Sequence, residues 1–545
     1  MNKSFLKILL IVTALILTIF LVIFIYSIQN PSTNYFGQNV SKIIAPVTTI
    51  DYNISNQQLS GLIRDFLDNN PNYQIDSRDP DIILNYQPID SDSESDKYFS
   101  ISEALVPIIH RQTLVDNITL SELKSINSGI NVGEEHFDTL VVVKNMKEQI
   151  VDSLSMNPDT ILALDDISQV IDQVSSNPNF LGLIPISQLT IDVHPLKIEN
   201  ISALDETEKF PVNIDIHIPT KFENDPLIKN ISDNYVIPSP TEILSVGDIM
   251  MGRYVGVKIN RSGDPIHSVE YVWEELSKPD LTFAQLETPI ATTTLTSEGM
   301  ILVAQPETVT ALTQSGIDLV SISGNHFGDA LRDGMEETFL TLEQNHIIYI
   351  GAGRNKNDSF TPKIIEKNGT RYGFLSFVNI MPDSYGAGED YAGSAWVDFN
   401  SIDDQNLIID SIQQARTKSD IVIVGFHWGT EYTPHPTQTQ QEIAHLAIDN
   451  GADMIIGTHP HVVQADEVYK DKYINYSLGN FIMDQMWSEE TQEGVLLYIY
   501  TLDDKIISYN LVPTHVVDYS QVKILSKEEG RNILERIWQA GKELI

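Results

Sequence analysis

Five short apolar runs in the second half of the chain each end in residues that can bind a metal. They are "TEILSVGDIMMGR" (241–253), "DLTFAQLETPI" (280–290), "IDLVSISGNHFGDA" (317–330), "DIVIVGFHWGTEY" (420–432) and "ADMIIGTHPHV" (452–462). Helix-patterned stretches such as 437–450 intervene, so the runs read as strands of an α/β fold covered by helices. In such sheets ligands bind beyond the carboxyl ends of the strands. Those ends offer Asp248, Glu287, Asn325, His326, His427, His459 and His461, with Asp329 close behind. A single histidine after a strand is ordinarily a hydrogen-bonded loop residue, but five such endings in succession make coincidence a poor account. The donors are oxygens and imidazole nitrogens with no thiolate, which suits Mn, Fe or Zn. Gly247, Gly324 and Gly457 are expected to let the backbone turn sharply beside these donors. His445, on the helix that Gly451 terminates, is read as an exposed helix residue.

A chain of 545 residues exceeds what one core supports, and several domains are expected. Residues Ile8–Ile28 are uncharged and mostly apolar, long enough as a helix to span a bilayer. Lys3 and Lys7 precede them and no charge follows until Lys42. The expectation is an uncleaved anchor over 1–30, favoured over a cleaved signal peptide by the length of the apolar stretch and the lack of an A-x-A-like site, with the N-terminus in the cytoplasm and the bulk of the chain outside the cell. A polar tether (31–48) leads to a mixed α/β domain over 49–223, with strands near 81–86, 104–110, 139–145 and 180–189 and a helix near 57–70. Residues 224–240 carry three prolines and read as a linker. A second, more regular α/β domain spans 241–520, and 521–545 reads as a C-terminal helix.

The chain has 75 acidic against 34 basic residues, a net charge of -41. That argues against nucleic-acid binding and against broad docking on anionic lipid. An anionic substrate would have to be held locally, by metal or by an arginine such as Arg253.

Two resemblances follow from particular motifs. "EALVPIIHRQTLVDNITLSELKSINSG" (103–129) with "NPNFLGLIPISQL" (177–189) resembles the phosphate-type periplasmic binding proteins, with Thr119 or Ser121 capping the helix that carries Glu122. That family's Ser/Thr-rich phosphate loops are not evident, so no ligand is carried over. More specifically, "SVGDIMMGR", "QLETPI", "SGNHFGDALRDG", "FHWGTEY" and "IIGTHPHVVQADEVYKDKYINYSLGNF" resemble the CapA, or poly-γ-glutamate capsule biosynthesis, family, a branch of the calcineurin-like metallophosphatases.

The CapA resemblance implies a four-layer αββα fold with a centre for one or two divalent metals. Asp248, Glu287, Asn325, His427, His459 and His461 match its ligands. His326 matches the proton donor or transition-state stabiliser, with Asp329 to orient it and Arg253 to meet an anionic substrate. Two positions depart from the superfamily pattern: Met250 stands where its first motif has histidine, and Glu287 where it has a bridging aspartate. The implied partners are an anionic polymer such as poly-γ-glutamate and the membrane subunits that synthesise it. Three functions stay open: a metal-dependent hydrolase or transferase of that polymer, a non-catalytic scaffold of its export complex, and a nucleotidase-type phosphoesterase.

Overall fold

The computed structural model describes residues 48–53, 57–78, 82–85, 98–219, 224–292 and 302–544. The expected anchor over 1–30 lies outside them, and among the described residues no helix is long and apolar enough to cross a membrane. The described residues form two compact units, one holding those up to Ser100 with Ile216–Tyr235, the other Ile101–Asp215 with Val236 onward. The 49–223 stretch therefore contributes to both.

In the smaller unit, Tyr73–Ile75 and Ile82–Asn85 flank Thr48–Asn53 in a parallel sheet. Helix Gln57–Asn69 follows the central strand. The segment expected to be a linker contains a second helix, Pro226–Asn234, with Leu227, Ile228 and Ile231 buried. Its prolines mislead for a physical reason. Pro226 occupies the first helical position, where the missing N–H costs nothing, and the Asp225 side chain accepts from the Leu227 amide to cap the end.

The larger unit opens with a mixed sheet in which Phe180–Pro185 lies between the 101–110 part of strand Tyr98–His110 and Thr139–Val143. Thr119, not Ser121, caps the following helix Leu120–Ser125, in a reciprocal box with Glu122. Two larger sheets come next. In chain order their strands are β1 (Thr241–Ile249), β2 (Leu281–Leu286), β3 (Leu319–Ser321), β4 (Ile348–Ile350), β5 (Lys363–Lys367), β6 (Thr370–Val378) and β7 (Ile421–His427). After these follow β8 (Met454–Thr458), β9 (Asp466–Tyr469), β10 (Lys472–Asn475), β11 (Asn480–Ile482), β12 (Glu493–Leu502), β13 (Lys505–Val517) and β14 (Gln521–Ile524). The first sheet runs β4-β3-β2-β1-β12-β13-β14, with β11 also paired to β1, and the second runs β5-β6-β7-β8-β10-β9.

The strands with candidate ligands are parallel within each sheet, β1 to β2 to β3 and β7 to β8. Their carboxyl ends thus share one edge per sheet. The two sheets face each other across a core containing Ile243, Phe283 and Leu319 from one and Phe374, Ile423 and Met454 from the other. The rings of Phe283 and Phe374 lie 5.9 Å apart. Alternate residues of β7, Val422, Val424 and Phe426, point the other way and pack with Ile408, Ile412, Ile443 and Ala447 of helices Ile402–Arg416 and Gln438–Asp449. Burial on both faces is why these strands read as unbroken apolar runs. Helix Leu331–Gln344 packs beside β4 and buries Met335, Phe339 and Leu342. The 521–545 stretch begins as strand β14, with its helix confined to Arg531–Lys542.

Gly247 and Gly457 are needed for close approach, not for turning. A Cβ on Gly247 would lie 2.1 Å from the Gly479 carbonyl oxygen, and one on Gly457 would lie 2.0 Å from that of Tyr476. The 476–480 segment can cross both strands because neither residue has a side chain. At Gly324 the nearest atom to a Cβ would be Gln285 Nε2 at 3.2 Å.

Candidate metal centre

Each candidate ligand sits where a strand stops. Asp248 is the penultimate residue of β1, Glu287 follows β2, Asn325 and His326 lie in the loop after β3, His427 ends β7, and His459 and His461 follow β8. The side chains converge across the two sheet edges. His427 Nε2 is 3.0 Å from Asn325 Oδ1 and its Nδ1 is 3.8 Å from Asp248 Oδ1. His461 Nδ1 is 3.7 Å from Asp248 Oδ2 and its Nε2 is 3.6 Å from Glu287 Oε1. The His459 amide donates to Asp248 Oδ2 at 3.1 Å, and its ring lies 5.0 Å from that of His427. Asp248, Glu287, His427, His459 and His461 are all buried.

The backbone is strained to present the last pair. His459 (φ 95°) and His461 (φ 57°) both adopt left-handed conformations, each at a cost on the order of 1–3 kcal/mol that the surroundings must offset. The Tyr432 amide donates to the Pro460 carbonyl between them at 2.8 Å.

A second layer of hydrogen bonds sets tautomers. Asn480, in register with Asp248 on the neighbouring β11, presents Oδ1 to His461 Nδ1 at 2.9 Å. Its two Nδ2 protons are shared among the carbonyls of His461 and Thr491 and Gln485 Oε1. With Nδ2 thus committed, Oδ1 must accept, His461 Nδ1 carries the proton, and Nε2 turns its lone pair toward Glu287. His326 Nδ1 bonds Asp329 Oδ2 at 2.8 Å, and the same oxygen accepts from the Leu302 amide at 2.7 Å. The Arg253 guanidinium pairs with Asp484, which also accepts from the Tyr254 amide. Met250 is fully buried.

Burial sets the protonation pattern. It pushes the Asp248 and Glu287 carboxyls above the ordinary carboxylate range, and Asp248 is pushed further by the charge of Glu287. His427 and His459 are pulled well below the usual histidine value by burial and by neighbouring imidazoles, so both rings stay neutral and each keeps one unprotonated nitrogen. Burial opposes charge on His326 as well, yet the Asp329 hydrogen bond and the Glu287 charge outweigh it and raise its pKa.

The residues fit a divalent cation. Asp248 Oδ1, both Glu287 carboxylate oxygens and His459 Nδ1 are buried without a hydrogen-bond partner among the described residues. Such atoms, left unpaired in a low-dielectric interior, are costly. Oxygen and imidazole donors of this kind are a cation's natural partners. Glu431, His459 and His461 also offer ligand atoms within 4.8 Å of one another, a group that can hold a metal ion.

Sequence reasoning missed three participants: Glu431, Asn480 and Asp484. Glu431 lies four positions after His427 and Asn480 within the quoted "YSLGNF", so proximity to a motif was their only signal. His445 is not exposed. It bonds Glu467 at 2.9 Å and stacks on Tyr469 at 3.8 Å.

Fold and site define an α/β protein of two facing sheets with a candidate metal centre at the strand ends. The chain belongs to the family described as bacterial capsule synthesis protein PGA_cap, whose model matches residues 242–485. It is 29% identical over 301 residues to the capsule biosynthesis protein CapA of Bacillus anthracis, covering 54% of this chain and 71% of that one. With the PGA biosynthesis protein CapA of Bacillus subtilis (strain 168) it shares 30% identity over 278 residues, 50% of this chain and 70% of the relative. Among solved structures, a putative phosphate ABC transporter substrate-binding protein with bound phosphate from Clostridium perfringens aligns at 14% identity and a TM-score of 0.28, covering 34% of this chain and 92% of that one.

Proposed function

We propose that this is a membrane-anchored protein of capsule or poly-γ-glutamate synthesis, acting outside the cell through a metal-dependent hydrolase-like site of metallophosphatase type. The observation that carries the reading is the set of buried, unpartnered donor atoms on Asp248, Glu287 and His459, in a chain whose relatives are named for capsule and PGA biosynthesis. Asp248, Glu287, Asn325, His427, His459 and His461 would hold one or two divalent ions of the Mn, Fe or Zn kind. Such an ion supplies Lewis acidity and positive charge where negative charge develops.

The chain's own groups do the rest. His326, oriented by Asp329, holds a proton on the imidazole and offers Nε2 to the leaving atom. Arg253, its guanidinium paired with Asp484, adds positive charge beside Glu287. The anchor over 1–30 keeps the site at the membrane, beside the subunits that make the polymer.

The test is complementation of a strain lacking the gene. A His459→Ala/His461→Ala double mutant that is present at the parent level but fails to restore surface polymer supports a working metal site. Full restoration assigns the protein a scaffold role instead.

A further inference from the structure

Six tyrosines and tryptophans are exposed among the described residues: Tyr254, Tyr271, Tyr391, Tyr432, Trp487 and Tyr519. Scattered exposed rings need no explanation, but linked ones mark interaction sites. Four of these six fall into two ring pairs joined through Asp484, and the second pair reaches the metal centre. Tyr519 meets Tyr254 edge-on with ring centroids 4.9 Å apart. The Tyr254 amide donates to Asp484, whose carbonyl accepts from the Met486 amide, and Trp487 follows. Trp487 meets Tyr432 edge-on at 5.9 Å, and Tyr432 stacks on His461, a candidate ligand, at 6.1 Å.

Several contacts bear on Tyr432, Tyr254 and Tyr519. Tyr432 and Tyr519 have left-handed backbones, at φ 61° and 66°. The Tyr432 amide is tied to Pro460. Lys258 lies 5.6 Å over the Tyr254 ring and 5.8 Å over that of Tyr519. Two cations, Arg253 and Lys258, lie among these residues, paired with Asp484 and Asp518. Asp518 is largely exposed, so its pair with Lys258 is weak and a ligand carboxylate can share the ammonium. Aromatic faces pack against planar amide groups, and rigid Tyr and Trp side chains give contact area at little entropic cost.

We propose that Tyr519, Tyr254, Trp487 and Tyr432 form a binding track for an extended polyamide bearing carboxylates, along which the polymer reaches the metal centre. This rests on the functional reading above and adds where, and by which residues, the polymer is held. Continuity with the candidate ligand His461 sets the direction. Two ring pairs, one of them with Lys258 over both its rings, fit an extended anionic chain better than a compact phosphate ester.

The experiment uses the full-length protein in detergent, with poly-γ-glutamate of defined length and free glutamate as probes. Tryptophan emission should change with the polymer and not with free glutamate at equal carboxylate concentration. Trp487→Ala and Tyr519→Ala should each weaken polymer binding at least five-fold with metal content unchanged, and Trp487→Phe should recover most of the loss. Parent-like affinity in both alanine variants overturns the proposal, as does equal binding of free glutamate or of a neutral oligosaccharide. If the parent binds no polymer while capsule restoration still depends on His459 and His461, the track is refuted and the metal reading stands.

Discussion

Asn480 is the sharpest place to test whether the centre is built as described. It is buried and has four hydrogen-bond partners: it accepts from His461 Nδ1, and its two Nδ2 protons are shared among the His461 and Thr491 carbonyls and Gln485 Oε1. Asn480→Ala leaves all four partners in a closed interior. At a net ~0.5–1.5 kcal/mol for each of the three protons involved, the loss is about 1.5–4.5 kcal/mol of stability. A second effect is separable. Without the acceptor, His461 loses the bond that fixes its proton on Nδ1, and metal affinity should fall about 10–100-fold, as for other outer-layer partners of ligating histidines. Asn480→Asp keeps an oxygen facing His461 Nδ1 and gives up the donor bonds. It should lose stability but retain more of the metal affinity than Asn480→Ala. Calorimetric titration of metal-free protein with Mn²⁺, alongside urea unfolding of the same samples, measures both. If folded Asn480→Ala protein binds the metal as tightly as the parent, His461 is not positioned by Asn480.

Other consequences are open to simpler measurement. Gly457→Ala sets a Cβ against the Tyr476 backbone and 2.7 Å from Trp428 Nε1, and should cost about 3 kcal/mol or more in urea unfolding. Gly61→Ala, on helix Gln57–Asn69 with nothing within 4 Å of the added atom, should instead stabilise that helix by about 0.5–1 kcal/mol. A saturable metal should raise the unfolding midpoint, by about 2.7 kcal/mol of stability at a hundredfold excess over its Kd; chelator should reverse the rise, and His459→Ala should abolish it. His194, buried against Asp116 (3.1 Å), which also pairs with Lys527 (2.6 Å), is held below its ordinary pKa by burial and by the Lys527 charge. Its depressed pKa means the unfolded chain takes up the proton first, so stability should fall as pH drops through about 6.5. His194→Gln should flatten that fall between pH 7 and 5 in urea midpoints.

The donor set was legible because each strand is buried on both faces. Full burial writes an unbroken apolar run, and the run's end marks where the chain meets solvent or a site. The helix at Pro226 was not legible, because proline signals a break and a helix start alike until the cap at Asp225 is seen. The roles of Gly247 and Gly457 were not legible, because they depend on the 476–480 segment crossing β1 and β8, and no local pattern announces that crossing.

The sequence by itself determined the α/β class, the strand ends and the residue types gathered there, since these follow from local periodicity and composition. Only the tertiary structure decided that three strand ends of one sheet face two of another. It likewise decided that Asn480 lies beside Asp248 to fix the His461 tautomer, that Glu431 reaches the two histidines, and that four exposed rings come together in two pairs. Those are contacts between residues tens to hundreds of positions apart. They depend on how the sheets stack and on the register of β11 against β1, neither of which leaves a mark in the short-range pattern of side chains.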